Sequence, residues 1–505
     1  MASSTMGRPP GFYDRTASEV AEASAVTHTL QQAMRRFGYE LVETPLVEYV
    51  DLFLTKSGDE AINRLFNFEM YGRQLCLRPE FTASAARLYI ERFQHELKPI
   101  RWQFAGPIFR YESPQRSHSR QFTMLGTELI GPSGIGGDAE AMGLAGHGLL
   151  SVGLKDWTLA VGHVGLVGQL LDRFGLDRRI RRLMLGQIEN LHRLDRGRAY
   201  VESQFDKLYA DLPEQLGRLE ALQATVVQPN EDISHVFELL LESANLGTTG
   251  TGRTNEDVAR RLLTKQRRAN QRHEVMQALD FLEALTAIEG PAETAFPQLE
   301  ALLPDDDMAR STVRAFRAAI DLLPAYGIAP EQIRLQMGLA RGLNYYTGIV
   351  FEVHTQVGDS ASQLCGGGRY DDFIRVMGAS QDTPAIGFAY GLERILQELR
   401  RSGHAIAAPG VRALVVPIDD DDNNEAARIA MLLREHADIE LFTPPTRNLS
   451  QALAQADKRG TPYVIIIGTV ERAAAQLSVR DMRTKTQFTW ALNEISSLIE
   501  KINHD

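Results

Sequence analysis

The sequence is poor in cysteine, since Cys76 and Cys365 are the only two among its 505 residues. Two thiols so far apart along a chain form neither a disulfide framework nor a zinc site of the usual spacing. No apolar run reaches the roughly 18 residues that cross a bilayer. The start, MASSTMGRPPGFYD, has no charged segment leading into an apolar one. These absences predict a cytoplasmic protein without a membrane anchor or signal peptide.

Positive charge is also in deficit, because 54 Lys and Arg face 65 Asp and Glu to give a net charge of −11. An acidic balance argues weakly against a nucleic-acid partner. Phosphate attraction is local at physiological salt, however, so basic residues gathered on one face are enough to bind nucleic acid. Net charge therefore does not decide whether the protein binds nucleic acid. The length of the chain predicts two to four domains.

The first part of the chain, residues 1–155, contains one long helix and several short strands. A Thr16-x-x-Glu19 capping box opens a helix over 16–37, and Gly38 stops it. ELVETPLVE follows as a strand that ends near Pro45. Further strands are predicted at 73–80, 100–112 and 120–131. Short adjacent strands favour an antiparallel sheet over βαβ units.

The remainder of the chain divides into three regions. Residues 156–325 are mostly helical by period and carry Arg-rich patches at 177–182 and 260–272. Over 326–400 the strand pattern returns. It consists of a strand YYTGIVFEV (345–353), a turn CGGGRYD (365–371) and a helix over 384–399. After a linker at 400–410, strands and helices alternate over 411–505, which predicts a separate α/β domain.

Three segments contain residues suited to a nucleotide chemistry. The strand GPIFRYE places Arg110 where a guanidinium could grip a phosphate in a bidentate manner. GFAYGLER (387–394) is interpreted as a glycine-punctuated helix whose Arg394 could cover an adenine or reach a phosphate. In ARGLNYYTGIVFE (340–352), Tyr345 and Tyr346 would point to opposite faces of a strand. Taken alone, the first segment also fits a surface ion pair, the second a packed helix and the third an aromatic core with a turn.

Together, and in this order, FRxE, GLER and RGLxYYTG resemble the histidyl-tRNA synthetase family. FRxE and GLER resemble motifs 2 and 3 of class II synthetases, and ETPLVE stands where motif 1 belongs. RGLNYYTG resembles the histidine signature of the family, and LRPEFT and CGGGRYD match further family segments. The likeness covers residues 12–155 and 325–500. It implies an α+β fold: a six- or seven-stranded antiparallel catalytic sheet with a helical insertion, an anticodon-binding α/β domain and a homodimer.

The resemblance also implies the chemistry and its residues. Histidine would attack the α-phosphate of ATP, with Mg²⁺ on the outgoing phosphates, and the histidyl group would then pass to tRNA(His). The implied catalytic residues are Arg110 and Arg341, and the implied ATP contacts are Arg110, Glu112 and Arg394. The implied histidine contacts are Glu80, Thr82, Met124, Glu128, Arg341, Tyr345 and Tyr346. Glu80 and Thr82 would hold the ammonium, and Glu128 and Tyr346 the imidazole. Gln115 and Arg116 are candidates for contact with tRNA.

Four positions depart from the family pattern. Met124 replaces a glutamine that would bond the substrate's ammonium, and such a bond to a charged group contributes about 1.5–3 kcal/mol. By strand alternation Met124 faces the same side as Glu128. His118 replaces an arginine, Ser113 another arginine, and Asn344 an aspartate.

Two other functions are compatible with the same core. One is the non-catalytic regulatory subunit of ATP phosphoribosyltransferase, which typically lacks the C-terminal domain predicted here at 411–505. The other is a synthetase paralogue with an altered substrate, for which Met124 is the main support. The Arg-rich patches of 156–325 fit a tRNA clasp and a solvated helix face equally well.

Overall fold

The computed structural model describes residues 7–57, 65–111, 119–191, 193, 195–210, 272–339, 345–357, 360–404 and 410–504. The chain divides into two compact units, Met1–Asp14 with Val26–Ala405 and Arg15–Ala25 with Ile406–Asp505. We call the first the catalytic unit and describe each by itself. Among the described residues, no helix is both long and apolar enough to cross a membrane.

The first helix confirms the predicted capping box. Glu19 accepts a hydrogen bond from the backbone N of Thr16 at 2.7 Å, and Thr16 Oγ1 accepts from the N of Glu19 at 3.4 Å. The helix α1 spans Ala17–Arg36. Gly38 then takes a φ of 85°, a left-handed conformation that ends helices at little steric cost.

The described part of the catalytic unit contains one large sheet of nine strands in the order β1-β5-β6-β12-β11-β10-β7-β9-β8. Its members are β1 Glu40–Leu41, β5 Ile100–Phe109, β6 Gln121–Ile130, β7 Thr158–His163, β8 Glu289–Pro291, β9 Ile333–Gln336, β10 Ile349–Val357, β11 Ser360–Arg369 and β12 Ala385–Gly391. The six strands from β5 to β7 in this order pair antiparallel, which confirms the predicted sheet type. The count of six or seven is wrong, because β1 adds parallel to β5, and β9 adds parallel to β7 with β8 beyond it.

Just after Pro45 the chain enters a second, smaller sheet. Its three strands are β2 Val47–Tyr49, β3 Phe66–Met70 and β4 Arg73–Leu77, in the order β2-β4-β3. The single strand predicted for ELVETPLVE is therefore wrong. The segment starts in the large sheet with β1 and reaches the small sheet with β2, and Pro45 between them cannot donate a ladder hydrogen bond.

Helices account for most of the remaining described residues of the catalytic unit, including most of those described within the stretch 156–325, of which 211–271 lie outside the described residues. In chain order after α1, they are α2 Val50–Ser57, α3 Thr82–Leu88, α4 Ile135–Ser151, α5 Val164–Asp172, α6 Arg178–Leu191, α7 Gly197–Ala210, α8 Arg272–Thr286, α9 Ala292–Leu302, α10 Asp307–Asp321, α11 Phe373–Val376 and α12 Leu392–Arg401. A π-helical turn, Tyr89–Phe93, continues α3. Helix α4 is tied to the sheet by Arg369, whose Nε donates to Asp138 at 2.7 Å in a buried ion pair.

Two glycine-rich segments were predicted wrongly. GFAYG is strand β12, and the helix begins only at Leu392. CGGG lies inside strand β11 and is not a turn. In both segments the missing side chains make room for a neighbour. A Cβ on Gly387 would stand 1.9 Å from Glu128 Oε2, and one on Gly367 would stand 2.3 Å from the carbonyl oxygen of Gly387.

The two adjacent tyrosines also differ from the prediction. Strand β10 starts at Ile349, so Tyr345 and Tyr346 precede it and do not alternate across a sheet. Their rings lie 4.8 Å apart, centroid to centroid, at 51°. Both belong to one apolar cluster, in which Tyr345 is buried and Tyr346 is packed against it.

The described C-terminal unit contains a five-stranded sheet in the order β14-β13-β15-β16-β17. The strands are β13 Ala413–Pro417, β14 Ile439–Leu441, β15 Tyr463–Ile467, β16 Gln476–Asp481 and β17 Gln487–Ala491. The helices are α13 Asn423–Arg434, α14 Leu449–Arg459, α15 Thr469–Ala474 and α16 Ile495–His504. Strand β13 pairs parallel with β14 and β15, which confirms the predicted α/β unit.

Candidate active site

The site is centred on Glu128, in the middle of the large sheet. Glu128 is 1% exposed and lies on β6 directly opposite Trp102 and Gly387. Thr82 Oγ1 donates to its Oε1 at 2.6 Å, and the hydroxyl of Tyr370 donates to Oε2. Burial raises the pKa of Glu128 to about 8, although the two hydrogen bonds favour the carboxylate. A buried carboxyl with this pKa is poised to ionise when a ligand offers an N–H or a positive charge.

A second acidic residue, Glu80, lies next to this carboxyl at the start of α3. Its carboxylate accepts from the backbone N of Thr82 and, at 2.9 Å, from that of Ala83. Burial raises the pKa of Glu80, while these amides and the charge of Arg110 act in the opposite direction. Hydrogen bonds through Thr82 therefore connect Glu80 and Glu128 into one acidic wall.

Arg110 stands at the other end of that wall, directly after β5. Its Nε donates to the carbonyl oxygen of Pro79 at 3.0 Å, and its guanidinium carbon lies 5.5 Å from the ring centroid of Phe122. The residues Pro79–Thr82 thus run from a cation at Arg110 to the acidic group at Glu128. A phosphate could be held at the Arg110 end, and an N–H donor of a second substrate at the Glu128 end.

Arg394 and Glu393 are fixed at the start of α12. Arg394 Nη1 donates to the carbonyl oxygen of Gln363 at 2.9 Å. Glu393 accepts from the backbone N of Thr123 at 2.9 and 3.1 Å, through its two oxygens. Glu393 therefore ties the helix to β6.

Met124 packs on the same side of β6 as Phe122. It joins Phe122 and Ala389 against a buried cluster of Phe81, Phe104 and Ile108. Their shared face follows the alternation of side chains along a strand. The neighbours of Met124 in this cluster are apolar.

Sequence reasoning missed two members of the site. Tyr370 follows β11, and its ring meets those of Tyr345 at 5.8 Å and Phe373 at 5.9 Å, both edge to face. Gly387 supplies the gap that Glu128 occupies. A signal for each was available, since Tyr370 belongs to the CGGGRYD segment. In addition, β12 alternates large and small residues with the period of a strand.

Several predicted site residues lie outside the described residues: Glu112, Gln115, Arg116 and Arg341, together with the departures Ser113, His118 and Asn344. Their assignments stay predictions.

The antiparallel sheet and its C-terminal companion have the architecture of a class II aminoacyl-tRNA synthetase. The family model described as Histidyl-tRNA synthetase matches residues 11–232 and 206–395, and the one described as Anticodon binding domain matches 412–502. The chain belongs to the histidyl-tRNA synthetase family.

Known proteins are similar to this chain along nearly its whole length. The histidine–tRNA ligase of Thermococcus kodakarensis is 31% identical over 487 residues, covering 94% of both chains. That of Pyrococcus horikoshii is 31% identical over 501 residues, covering 98% of this chain and 99% of the relative. Among solved structures, histidyl-tRNA synthetase from Nostoc sp. has a TM-score of 0.68 at 20% identity, with 98% and 99% covered. A Bacillus halodurans protein described as an ATP phosphoribosyltransferase regulatory subunit/histidyl-tRNA synthetase has a TM-score of 0.63 at 20% identity, with 92% and 98% covered. At this identity the structures show the fold alone.

Proposed function

We propose that this chain is a histidine–tRNA ligase, which activates L-histidine with ATP and transfers it to tRNA(His). The observation that carries the proposal is the buried Glu128, which accepts from Thr82 and Tyr370 and stands at one end of a wall that begins at Arg110. The C-terminal domain disfavours the alternative of a regulatory subunit of ATP phosphoribosyltransferase. Such subunits typically have no domain like residues 412–502.

Glu128 is the proposed contact of the imidazole. Thr82 and Tyr370 each occupy one lone pair of the carboxylate, which leaves further acceptor sites for a ligand N–H. An N–H donor stabilises the carboxylate over the protonated form and offsets the cost of burial. Tyr346 is the proposed second imidazole contact, Tyr345 packs behind it, and Met124 borders the ammonium side.

Glu80 and Thr82 are the proposed contacts of the substrate's ammonium. The position of Arg110 beyond Pro79 would then bring the histidine carboxylate toward the α-phosphate. A carboxylate oxygen attacks the α-phosphorus, the bond to the bridging oxygen breaks, and pyrophosphate leaves. Arg110, with Arg341, stabilises the charge that develops on the α-phosphate, and Arg394 and Glu112 hold the rest of the nucleotide. The terminal ribose hydroxyl of tRNA then attacks the carbonyl carbon, and AMP leaves.

Mg²⁺ is proposed to accompany ATP, since this ion keeps several waters and binds largely through substrate phosphates in nucleotide-using enzymes. Within the described ranges, no three His, Cys, Asp or Glu side chains are grouped to hold a metal. The cytoplasm is the proposed location, because both cysteines are buried free thiols.

A homodimer is proposed through the small sheet of the catalytic unit. Large apolar side chains on and beside this sheet are more than a third exposed, which is unusual for a surface left in water. They are Leu46, Val47, Tyr49, Phe68, Met70 and Tyr71. Sedimentation equilibrium should give twice the chain mass, and a monomer at micromolar concentration would contradict the dimer.

The test of the function is charging of tRNA(His) with labelled L-histidine by the purified chain. The variant Glu128→Gln should lose most of the charging activity at subsaturating histidine, because it removes the charge that meets the ligand. Glu293→Gln makes the same change at an exposed position and should charge like the wild type. Folded wild-type protein that charges no tRNA would overturn the proposal.

A further inference from the structure

We propose that Pro10, Gly11 and Phe12, here called the strap, form a positioning element that holds Arg110 in place. The inference rests on the proposed function, in which Arg110 contacts the α-phosphate of ATP. The strap itself contacts neither substrate. It acts through the backbone on one side of Arg110 and through an aromatic ring on the other.

The backbone connection extends the β5–β6 hairpin beyond its last ladder pair, Phe109 with Gln121. The backbone N of Arg110 donates to the carbonyl oxygen of Arg120 at 2.9 Å, and the N of Arg120 donates to the carbonyl oxygen of Gly11 at 2.8 Å. Ser119 Oγ donates to the same carbonyl oxygen at 3.2 Å. Gly11 is therefore two backbone hydrogen bonds from Arg110, through Arg120.

Position 11 requires a glycine for two independent reasons. Its φ of 84° lies in the left-handed region, which side chains disfavour. A Cβ there would also stand 2.8 Å from Cγ of Arg120. The side chain of Arg120 is itself placed by the strap, since its Nη1 donates to the carbonyl oxygen of Pro10 at 3.3 Å. Any larger residue at position 11 would move the strap away from Arg120.

The aromatic connection reaches the residue on the other side of Arg110. The ring of Phe12 lies edge to face with Phe66 at 5.8 Å, and Phe66 lies in the same way on Tyr111 at 5.4 Å. The guanidinium of Arg120 covers the Tyr111 ring at 4.3 Å. Tyr111 is thus held between Phe66 and Arg120, both of which contact the strap.

Together these contacts fix the backbone at Arg110, while the carbonyl oxygen of Pro79 holds its guanidinium. An arginine that binds a reacting phosphate needs its backbone held in place on both sides, because a misplacement of 1 Å in a reacting geometry can cost about a hundredfold in rate. Loss of the strap should therefore impair the step that uses ATP and leave the histidine pocket around Glu128 unchanged.

The test uses the full chain with Gly11→Ala and, separately, Phe12→Ala. Gly7→Ala and Tyr13→Ala are the matched controls, because a Cβ on Gly7 meets nothing within 4 Å and Tyr13 is 67% exposed. Histidine-dependent ATP–pyrophosphate exchange gives kcat and KM for ATP, calorimetric titration gives the Kd for histidine, and a thermal melt reports folding. Both strap variants should lose about ten- to a hundredfold in kcat/KM for ATP. Their Kd for histidine should match that of the controls.

The possible failures are distinguishable. If the wild type exchanges pyrophosphate and the strap variants match their controls, the strap proposal is overturned and the function stands. The strap proposal is likewise overturned if the variants only melt at lower temperature, with unchanged kinetics of the folded protein. If the folded wild type shows no exchange, the proposed function is overturned, and the strap proposal with it.

Discussion

Strand β15 of the C-terminal unit and strand β12 of the catalytic unit are both central in their sheets, yet they are built differently. All five residues of β15, YVIII, are buried, and they pack alternately into the two apolar clusters of that unit. In β12, Ile386, Phe388 and Tyr390 are buried on one face, while the other face carries Gly387, Ala389 and Gly391. One strand uses both faces for packing, and the other gives one face to a site.

Because both faces of β15 are packed, removing side-chain volume from this strand should reduce the stability of the protein and leave its activity unchanged. Ile465 is fully buried, and Ile465→Ala should lower the free energy of unfolding by about 2–5 kcal/mol, the usual cost of deleting that much core. Pyrophosphate exchange by the folded protein should keep its kcat, because the proposed chemistry lies in the catalytic unit. Denaturant melts and exchange assays check both parts, and a large fall in kcat without loss of stability would contradict the purely structural role of β15.

Adding side-chain volume to β12 should instead reduce the catalytic activity. Gly387→Ala places a Cβ where Glu128 Oε2 stands, at 1.9 Å, so the carboxylate must move. We expect exchange at subsaturating histidine to fall by about a hundredfold. Gly168→Ala is the control: its Cβ meets nothing within 4 Å, and replacing a helical glycine should raise stability by about 0.5–1 kcal/mol. Equal activity of the two variants would show that Glu128 is not held against β12.

These two strands also explain which parts were predictable from the sequence. A strand buried on both faces has a continuous apolar run, so the strands at ALVVPI and YVIIIG can be recognised within the alternation predicted over 411–505. In β12, Gly387 faces Glu128, and the small residues of the strand concealed a large–small alternation of period two. Tyr370 was missed for a related reason, since only the fold brings it 242 residues along the chain to Glu128. Glu80 and Thr82 were predicted because the resemblance named them, and Arg110 because its strand placed it where a guanidinium could bind a phosphate.

The pH dependence of stability should differ between Glu128→Gln and the wild type. The pKa of Glu128 rises from 4.5 to about 8 on folding. Between these values the folded state keeps a proton that the unfolded chain has lost, so wild-type stability falls as pH rises, by up to about 1.4 kcal/mol per pH unit. The contribution is fully present below pH 4.5 and lost above pH 8.

The variant cannot titrate at this position, so its stability relative to the wild type should increase steadily between about pH 5 and pH 8. Urea melts of both proteins at each pH measure the difference. A difference that is independent of pH would mean that Glu128 is ionised in the free protein, and the proposed role of the ligand in ionising it would fail.

The smallest expected effect is at Met124, where the family has glutamine. Met124→Gln restores a donor and acceptor near the substrate's ammonium and should tighten histidine binding by about tenfold. Calorimetric titration with histidine and a denaturant melt of both proteins measure the outcome. If binding is unchanged and stability falls by about 1–3 kcal/mol, the amide is buried without a partner among Phe81, Phe104 and Phe122. That result would favour the paralogue with an altered substrate.

Glu128, its two donors and Arg110 are proposed to form a pocket that activates histidine. ATP–pyrophosphate exchange by the full chain, measured with each of the standard amino acids in turn, tests this pocket directly. We expect exchange with L-histidine alone. Folded protein that gives no exchange with millimolar histidine, or that exchanges equally well with another amino acid, would contradict the assignment.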